Sequence, residues 1–106
     1  MATYLMMMKL TTPGHESIKN AHEGRVAGKK MAKSLGIKWK QQYLVFGQYD
    51  LITVVEADSD EQMATFALLG GLSGTFTIET LRAFTEAEAD KLLKSLNDVA
   101  PPEMGD

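Results

Sequence analysis

The alternation of apolar and polar positions along the chain predicts four strands and three helices. Short apolar or alternating runs bounded by turn-forming residues are typical of strands, and they lie at residues 3–10, 37–46, 49–57 and 75–84. Segments in which apolar residues recur every three or four positions are typical of helices, and they lie at residues 14–35, 60–72 and 86–96. We expect a tight turn at Gly47-Gln48-Tyr49-Asp50, because glycine leads the connection between the two central strands.

The second strand has the clearest two-sided pattern. Trp39 and Tyr43 alternate with polar residues, which are Lys38, Lys40 and Gln42. Because successive side chains of a strand point to opposite faces, this pattern predicts one apolar face and one wetter face.

The order of the elements is strand, helix, strand, strand, helix, strand, helix. Its compact arrangement is an α+β fold, with a four-stranded antiparallel sheet that carries helices on one face. We expect a single domain over residues 1–98 and a flexible tail over residues 99–106. The strands at 3–10 and 49–57 are apolar on both faces, whereas a sheet that faces water alternates more cleanly. The open face is therefore predicted to be covered by a second copy of the chain, in a homodimer or higher oligomer.

Composition narrows the classes of function. The absence of cysteine rules out disulfides, thiolate nucleophiles and cysteine-based metal sites. A net charge of −3 argues against generic nucleic-acid binding, which needs a basic footprint. The apolar run at residues 4–8 is too short to span a membrane and lacks the flanking features of an export signal. We therefore expect a cytoplasmic protein without nucleic-acid or membrane partners.

Three segments of the chain carry a resemblance to a known family. They are Thr3-Tyr4-Leu5-Met6, the Gly-x-Tyr-Asp hairpin at 47–50, and Thr80-Leu81-Arg82-Ala83-Phe84. In this order, across residues 2–96, they resemble the GYD-domain family of small bacterial and archaeal proteins. The resemblance implies a ferredoxin-like dimeric α/β barrel, in which two sheets pack face to face, and it implies no established reaction. Gln48 departs from the acidic residue common at its position in that family.

The first helix carries the leading candidates for a ligand site. At 100° per residue, its buried arc is defined by Ile18, Ala21, Gly28, Ala32 and Leu35. Arg25 falls within this arc, and His15 and His22 lie on its edge. A buried charge needs a partner or a wet cavity, so Arg25 indicates a polar pocket between the helix and the sheet. The alternative is that Arg25 reaches solvent and that both histidines are ordinary residues at the helix edge.

The hairpin supplies two more candidates. Antiparallel topology brings its end of the sheet beside the start of the first helix, so Tyr49 and Asp50 are predicted near His15. Asp50 has two interpretations, as a general base or amine anchor, or as an acceptor of backbone N–H bonds that fixes the hairpin. We favour the structural role for Asp50. Gly47 is expected to need only a positive φ.

Two charged residues interrupt the apolar pattern of the last strand. Glu79 and Arg82 point to opposite faces, so one of them faces the second copy if the sheet is sandwiched. An ion pair between subunits would satisfy that residue. The alternative is that Arg82 grips a ligand carboxylate, which arginine does in bidentate fashion. The seven-residue spacing of His15 and His22 differs from the spacing in His-Glu-x-x-His metal sites, and we predict neither a metal nor a cofactor.

These observations leave three functions open. The first is a homo-oligomeric small-molecule-binding protein with a pocket between the first helix and the sheet, lined by His22, Arg25, Tyr49 and Asp50. The second is a cofactor-independent enzyme of monooxygenase or isomerase type, in which His15 or His22 acts as acid or base and Arg25 or Arg82 steadies an anion. The third is a structural or assembly protein without a ligand. The fold alone does not choose among them, because one fold hosts many functions.

Overall fold

A computed structural model describes residues 1–100 and Pro102. Its strands are β1 (Ala2–Leu10), β2 (Lys38–Leu44), β3 (Leu51–Ala57) and β4 (Phe76–Ala83). Its helices are α1 (Thr12–Glu16), α2 (Ala21–Ser34), α3 (Asp60–Gly71) and α4 (Glu86–Ser95), with single 3-10 turns at Ile18–Asn20 and Leu96–Asp98. Most of the tail predicted at 99–106, namely Pro101 and residues 103–106, lies outside the described residues. None of the described helices has the length and apolar character needed to span a bilayer.

The strands form one antiparallel sheet in the order β2-β3-β1-β4. With α2 connecting β1 to β2 and α3 connecting β3 to β4, this is the predicted α+β, ferredoxin-like arrangement with an additional C-terminal helix. The core lies between the sheet, α2 and α3, and consists of Tyr4, Met6, Ala32, Ile37, Val55, Ala57, Met63 and Phe66. It is gathered at the end of the sheet where β1 begins, beside the C-terminal half of α2.

The single helix predicted at 14–35 is wrong, because the structure breaks it into α1, a 3-10 turn and α2. The first part begins earlier than predicted, since the Thr11 hydroxyl caps it by accepting the N–H of Gly14. It ends at Ser17, whose hydroxyl donates to the carbonyl oxygen of Pro13 at 2.9 Å. A serine hydroxyl that bonds local backbone in this way competes with continued helix. The break turns the chain before α2 crosses the sheet.

The tight turn predicted between the central strands is also wrong. Residues 45–50 form a six-residue connection, closed by a 2.9 Å hydrogen bond from the Val45 N–H to the Asp50 carbonyl. The N–H of Asp50 donates across to β1, which draws the end of the connection toward the middle of the sheet. Gly47 adopts a φ of 132°, as expected for a position that favours glycine. Phe46, at the tip, is 98% exposed.

A β-bulge changes which residues of β2 share a face. The bulge lies between Trp39 and Gln41 and inserts one extra residue into the strand. Trp39 and Gln42 therefore both face the helices, whereas Tyr43 faces the other side of the sheet. The predicted alternation, with Trp39 and Tyr43 on one face and Gln42 on the other, is wrong beyond the bulge. This shift brings the polar side chain of Gln42 to the side of the sheet on which α2 lies.

The face of the sheet opposite the helices is apolar at its centre. This open face is formed by Leu5, Met7, Ile52, Val54 and Leu81. These side chains alternate along β1, β3 and β4 with the residues that face the helices, as the two-residue period of a strand requires. The four on β1 and β3 are half-buried, and Leu81 is 40% exposed. The single chain therefore leaves apolar surface without a helix over it.

The C-terminal helix α4 extends away from the body of the molecule. The described chain measures 57 × 32 × 21 Å and has a radius of gyration of 17.4 Å, whereas about 13 Å is typical of a compact domain of this size. Thr85 and Glu88 form a capping box that fixes the start of α4. Leu92 and Leu93 of α4 are exposed in the single chain, as is Leu96 in the 3-10 turn that follows the helix. The molecule thus has a second apolar surface besides the open face.

One hydrogen bond of the core gives the fold a pH dependence. The hydroxyl of Tyr4 on β1 donates to the carboxylate of Asp60 at the start of α3. This bond, aided by burial, raises the pKa of Tyr4 above its ordinary value. Because the folded pKa is the higher one, the contribution to stability is complete below about pH 10 and is lost as the pH rises through the folded value.

We expect Tyr4→Phe to lower the free energy of unfolding by about 1 kcal/mol at neutral pH. The variant should also lose less stability than the wild type between neutral and strongly alkaline pH. Urea denaturation at both pH values measures the two effects. The matched control is Tyr43→Phe, because Tyr43 is 50% exposed on β2. Equal alkaline losses in the wild type and both variants would contradict this account of Tyr4.

Candidate functional site

A cavity of about 520 Å³ lies between α2 and the helix-facing side of the sheet. This volume is within the range of small-molecule sites. The sheet contributes residues from all four strands, including Met6, Met8, Trp39, Gln42, Leu51, Thr53 and Ile78. The helical side contributes Ile18, Ala21, Gly24, Arg25, Gly28, Met31 and Phe66, among others. The cavity, which we call the main cavity, occupies the region where the sequence predicts a pocket.

Small residues in the N-terminal half of α2 leave this space open. Ala21, Gly24, Ala27 and Gly28 all line the main cavity. A Cβ atom added to Gly24 would meet no atom within 4 Å, whereas one added to Gly28 would approach the Trp39 ring to 3.3 Å. The C-terminal half of the same helix closes on the core through the fully buried Ala32. The C-terminal end of α2 thus packs against the core, and its N-terminal end covers the cavity.

A chain of hydrogen bonds runs along the cavity wall. The Nε–H of Arg25 donates to the Gln42 side-chain oxygen at 2.9 Å. The Gln42 amide nitrogen donates to the Thr53 hydroxyl at 3.0 Å, and that hydroxyl donates to the sulfur of Met8 at 3.3 Å. Thr53 is only 1% exposed, so its hydroxyl needs these partners. The chain fixes the Arg25 guanidinium at the mouth of an otherwise apolar space.

The sequence pattern identified Arg25 but missed Gln42 and Thr53. Thr53 was hidden within an apolar strand, and Gln42 was assigned to the opposite face because the bulge is not visible in the alternation. The two residues are cross-strand partners in β2 and β3, but this pairing depends on the bulge and is not visible in the sequence. Arg25 was predicted either to line a polar pocket or to reach solvent. Both hold, because its side chain is exposed and also lines the main cavity.

A second hollow of about 420 Å³ adjoins the main cavity on the side of β2. Its walls are Arg25, Lys29, Trp39, Lys40, Gln41 and Gln42. We call it the cationic depression, because three of these six residues are basic. The Lys29 ammonium lies 5.9 Å from the centre of the Trp39 ring, and the Lys40 ammonium lies 3.7 Å from a carboxylate oxygen of Glu56. The depression therefore offers positive charge next to an aromatic wall.

The two histidines lie away from both hollows. His15 and His22 are exposed, and neither lines the main cavity or the cationic depression. Within the part of the chain that the structure describes, no group of three histidine, cysteine, aspartate or glutamate residues is arranged to hold a metal ion. Because neither imidazole lines the cavity, the geometry lends no support to acid–base catalysis by His15 or His22.

Asp50 connects neighbouring strands. Its carboxylate accepts the N–H of Leu10 at 2.8 Å, and its own N–H donates to the Met8 carbonyl oxygen at 2.9 Å. The carboxylate thus supplies an acceptor for β1 beyond the residue at which β3 begins, which agrees with a structural role for Asp50. The bond joins β1 to the connection rather than closing the connection on itself. Neither Asp50 nor Tyr49 lines the main cavity.

The charges of β4 are satisfied within the chain and lie on opposite faces, as predicted. Glu79 is on the open-face side and accepts the Tyr49 hydroxyl, a bond that raises the pKa of Tyr49 above its usual value. Arg82 is on the other side, where its guanidinium stacks 4.4 Å from the centre of the Phe84 ring and lies 4.0 Å from the Glu88 carboxylate. Arg82 does not line the main cavity.

The chain is similar to known proteins in sequence and in fold. The family model described as the GYD domain matches residues 4–93. A Thermus thermophilus protein named glutamine synthetase and cystathionine beta-lyase binding protein is 30% identical over 95 residues, which covers 89% of this chain and 100% of that protein. The crystal structure of an FFRP chain superposes with a TM-score of 0.57 at 22% identity, covering 79% of this chain and 100% of that one. The likeness to this crystal structure shows the fold alone.

Proposed function

Since the chain belongs to the GYD-domain family, we propose that it is a homo-oligomeric binding protein whose main cavity takes a small molecule. The main cavity is the observation that carries this proposal. It combines an apolar lining with a few convergent polar groups, which is the usual character of a ligand site. Those groups include the arginine, amide and hydroxyl of the hydrogen-bond chain, which suit recognition of a ligand.

Filling the cavity from α2 tests the proposal directly. Gly24→Leu would place a side chain in open space, and we expect it to weaken binding of the uncharged probe N-phenyl-1-naphthylamine by at least about tenfold. Leucine and alanine favour a helix interior over glycine by up to about 1 kcal/mol, so both substitutions should preserve the fold. Probe fluorescence measures binding, and circular dichroism checks helicity.

The matched control is Gly24→Ala, which restores the same helix propensity with a much smaller side chain. It should bind the probe nearly as well as the wild type. A wild-type protein that fails to bind the probe would overturn the proposed small-molecule site. Equal affinity in the wild type and Gly24→Leu would also overturn it, because the probe would then be bound elsewhere.

Self-association is the second part of the proposal, and the open face supports it. Leu5, Val54 and Leu81 lie side by side across β1, β3 and β4. Burying such a patch against a second copy would add buried apolar area to a short domain, whose own core is small.

We expect the wild type to have at least twice the 11.6 kDa mass of one chain at micromolar concentration. Leu81→Asp should give a monomer, because an unpaired carboxylate in a sheet interface is strongly unfavourable. Thr80→Asp is the control, since it adds the same charge on the opposite face of β4. Light scattering after size exclusion measures all three masses. A monomeric wild type, or a Leu81→Asp protein with unchanged mass, would contradict the proposed interface.

Binding to other proteins is a second candidate function. The Thermus thermophilus relative, which aligns with this chain over its whole length, is named for binding glutamine synthetase and cystathionine beta-lyase. The exposed leucines of α4 provide an apolar surface on which a protein partner could dock.

If this candidate function is correct, the chain should bind purified glutamine synthetase or cystathionine beta-lyase of its own organism in biolayer interferometry. Leu93→Lys should weaken that binding by at least about tenfold, because it places a charge on the apolar side of α4. The exposed Asp90 provides a control variant, Asp90→Asn. Light scattering of the Leu93→Lys protein separates lost partner binding from lost self-association. Absence of binding to both enzymes would contradict this function.

A further inference from the structure

The main cavity and the cationic depression share one wall. Arg25, Trp39 and Gln42 line both hollows. Gln42 faces the helices only because of the bulge in β2, and its amide oxygen holds the Nε–H of Arg25. A single ligand that passes this wall would meet an apolar environment on one side and positive charge on the other.

The main cavity defines the apolar half of such a ligand. Its interior is built from methionine, aromatic and branched aliphatic side chains, which include Met6, Met8, Phe66 and Ile78. The hydroxyl of Thr53 is already bonded to Gln42 and Met8. Taking about 30 Å³ as the volume of one water-sized group, the space holds at most about 17 non-hydrogen atoms. A medium-length alkyl chain or a small aromatic body fits this volume and this chemistry.

The cationic depression defines the polar half. Arg25 uses its Nε–H on Gln42, and the two terminal nitrogens of the guanidinium have no protein acceptor within the described part of the chain. Lys29 lies beside the ring of Trp39, while Lys40 already contacts Glu56. Glu23 borders the main cavity but not the cationic depression. The positive charge therefore lies in the cationic depression, and Arg25 carries it to the wall that the two hollows share.

We propose that the ligand is an amphipathic carboxylate, with its apolar body in the main cavity and its carboxylate at Arg25 and Lys29. This inference rests on the proposed small-molecule site and adds the ligand's chemical class. Arginine binds carboxylates through paired, parallel N–H donors, and such bonds depend on a fixed guanidinium plane. Gln42 acts as a positioning residue, because its hydrogen bonds to Arg25 and Thr53 fix that plane before the ligand arrives.

Three probes of the same chain length and different head groups test the inference. Decanoate, decanol and decyltrimethylammonium are each used to displace N-phenyl-1-naphthylamine from the wild type, below their micelle-forming concentrations. We expect decanoate to displace the dye at a concentration at least about tenfold lower than decanol, and the cation to be weaker than the alcohol. Quenching of Trp39, the single tryptophan of the chain, gives a second readout at the shared wall.

Arg25→Gln should remove the preference for decanoate over decanol, measured as the ratio of the two displacement concentrations in the same variant. Gln42→Leu should lower that ratio through loss of the guanidinium support. Lys30→Gln is the control, because Lys30 is an exposed residue of α2 that lines neither hollow.

Dye binding with equal displacement by decanoate and decanol would overturn the carboxylate assignment and leave the small-molecule site standing. Retention of the full preference for decanoate in Arg25→Gln would overturn the carboxylate assignment in the same way. Failure of the dye to bind the wild type would instead remove the proposed site itself.

Discussion

The pairing of β1 with both of its neighbours is the constraint on which the remaining structure depends. β1 aligns antiparallel with β3 on one side and β4 on the other, so its side chains alternate between the helix-covered face and the open face. A slip of one residue would exchange these faces throughout. Two contacts beyond the strand pairs hold the register at the end of β1. They are the Asp50 carboxylate on the Leu10 N–H and the Thr11 N–H on the Thr75 carbonyl.

Much of this architecture follows from the sequence, because strand and helix periodicities survive in the folded chain. The four strands, the topology and the opposite faces of Glu79 and Arg82 follow from those periodicities. The position of the cavity under the first long helix does so too, since Arg25 interrupts an apolar arc. The sequence did not reveal two local events, which are the hydroxyl of Ser17 ending α1 and the bulge after Trp39. Both depend on hydrogen bonds, which the pattern of apolar and polar residues does not reveal.

The bulge explains why the candidate site was only partly predictable. It brings Gln42 to the side on which α2 lies, where the Gln42 side chain accepts the Nε–H of Arg25 at the cavity wall. The histidines of the first helix have the chemistry of a catalytic site, but the break at Ser17 and the helix geometry leave them exposed. The small residues along α2 leave open space between the helix and the sheet, where the sequence predicts a pocket. Glycine in a helix interior lowers stability by roughly 1 kcal/mol relative to alanine, so the open space is retained at the expense of stability.

The same bulge has a consequence for the edge of the sheet. β2 is an edge strand, with one side of its backbone not paired within the sheet. An edge strand invites further strands to add to it and thereby seeds uncontrolled aggregation, and natural sheets resist this with bulges and lysines. β2 has a bulge at Lys40, and Lys38 lies two residues before it. Growth of the sheet by strand addition at this edge is therefore disfavoured, and the self-association that we propose would form through apolar side-chain surfaces, where an assembly can close.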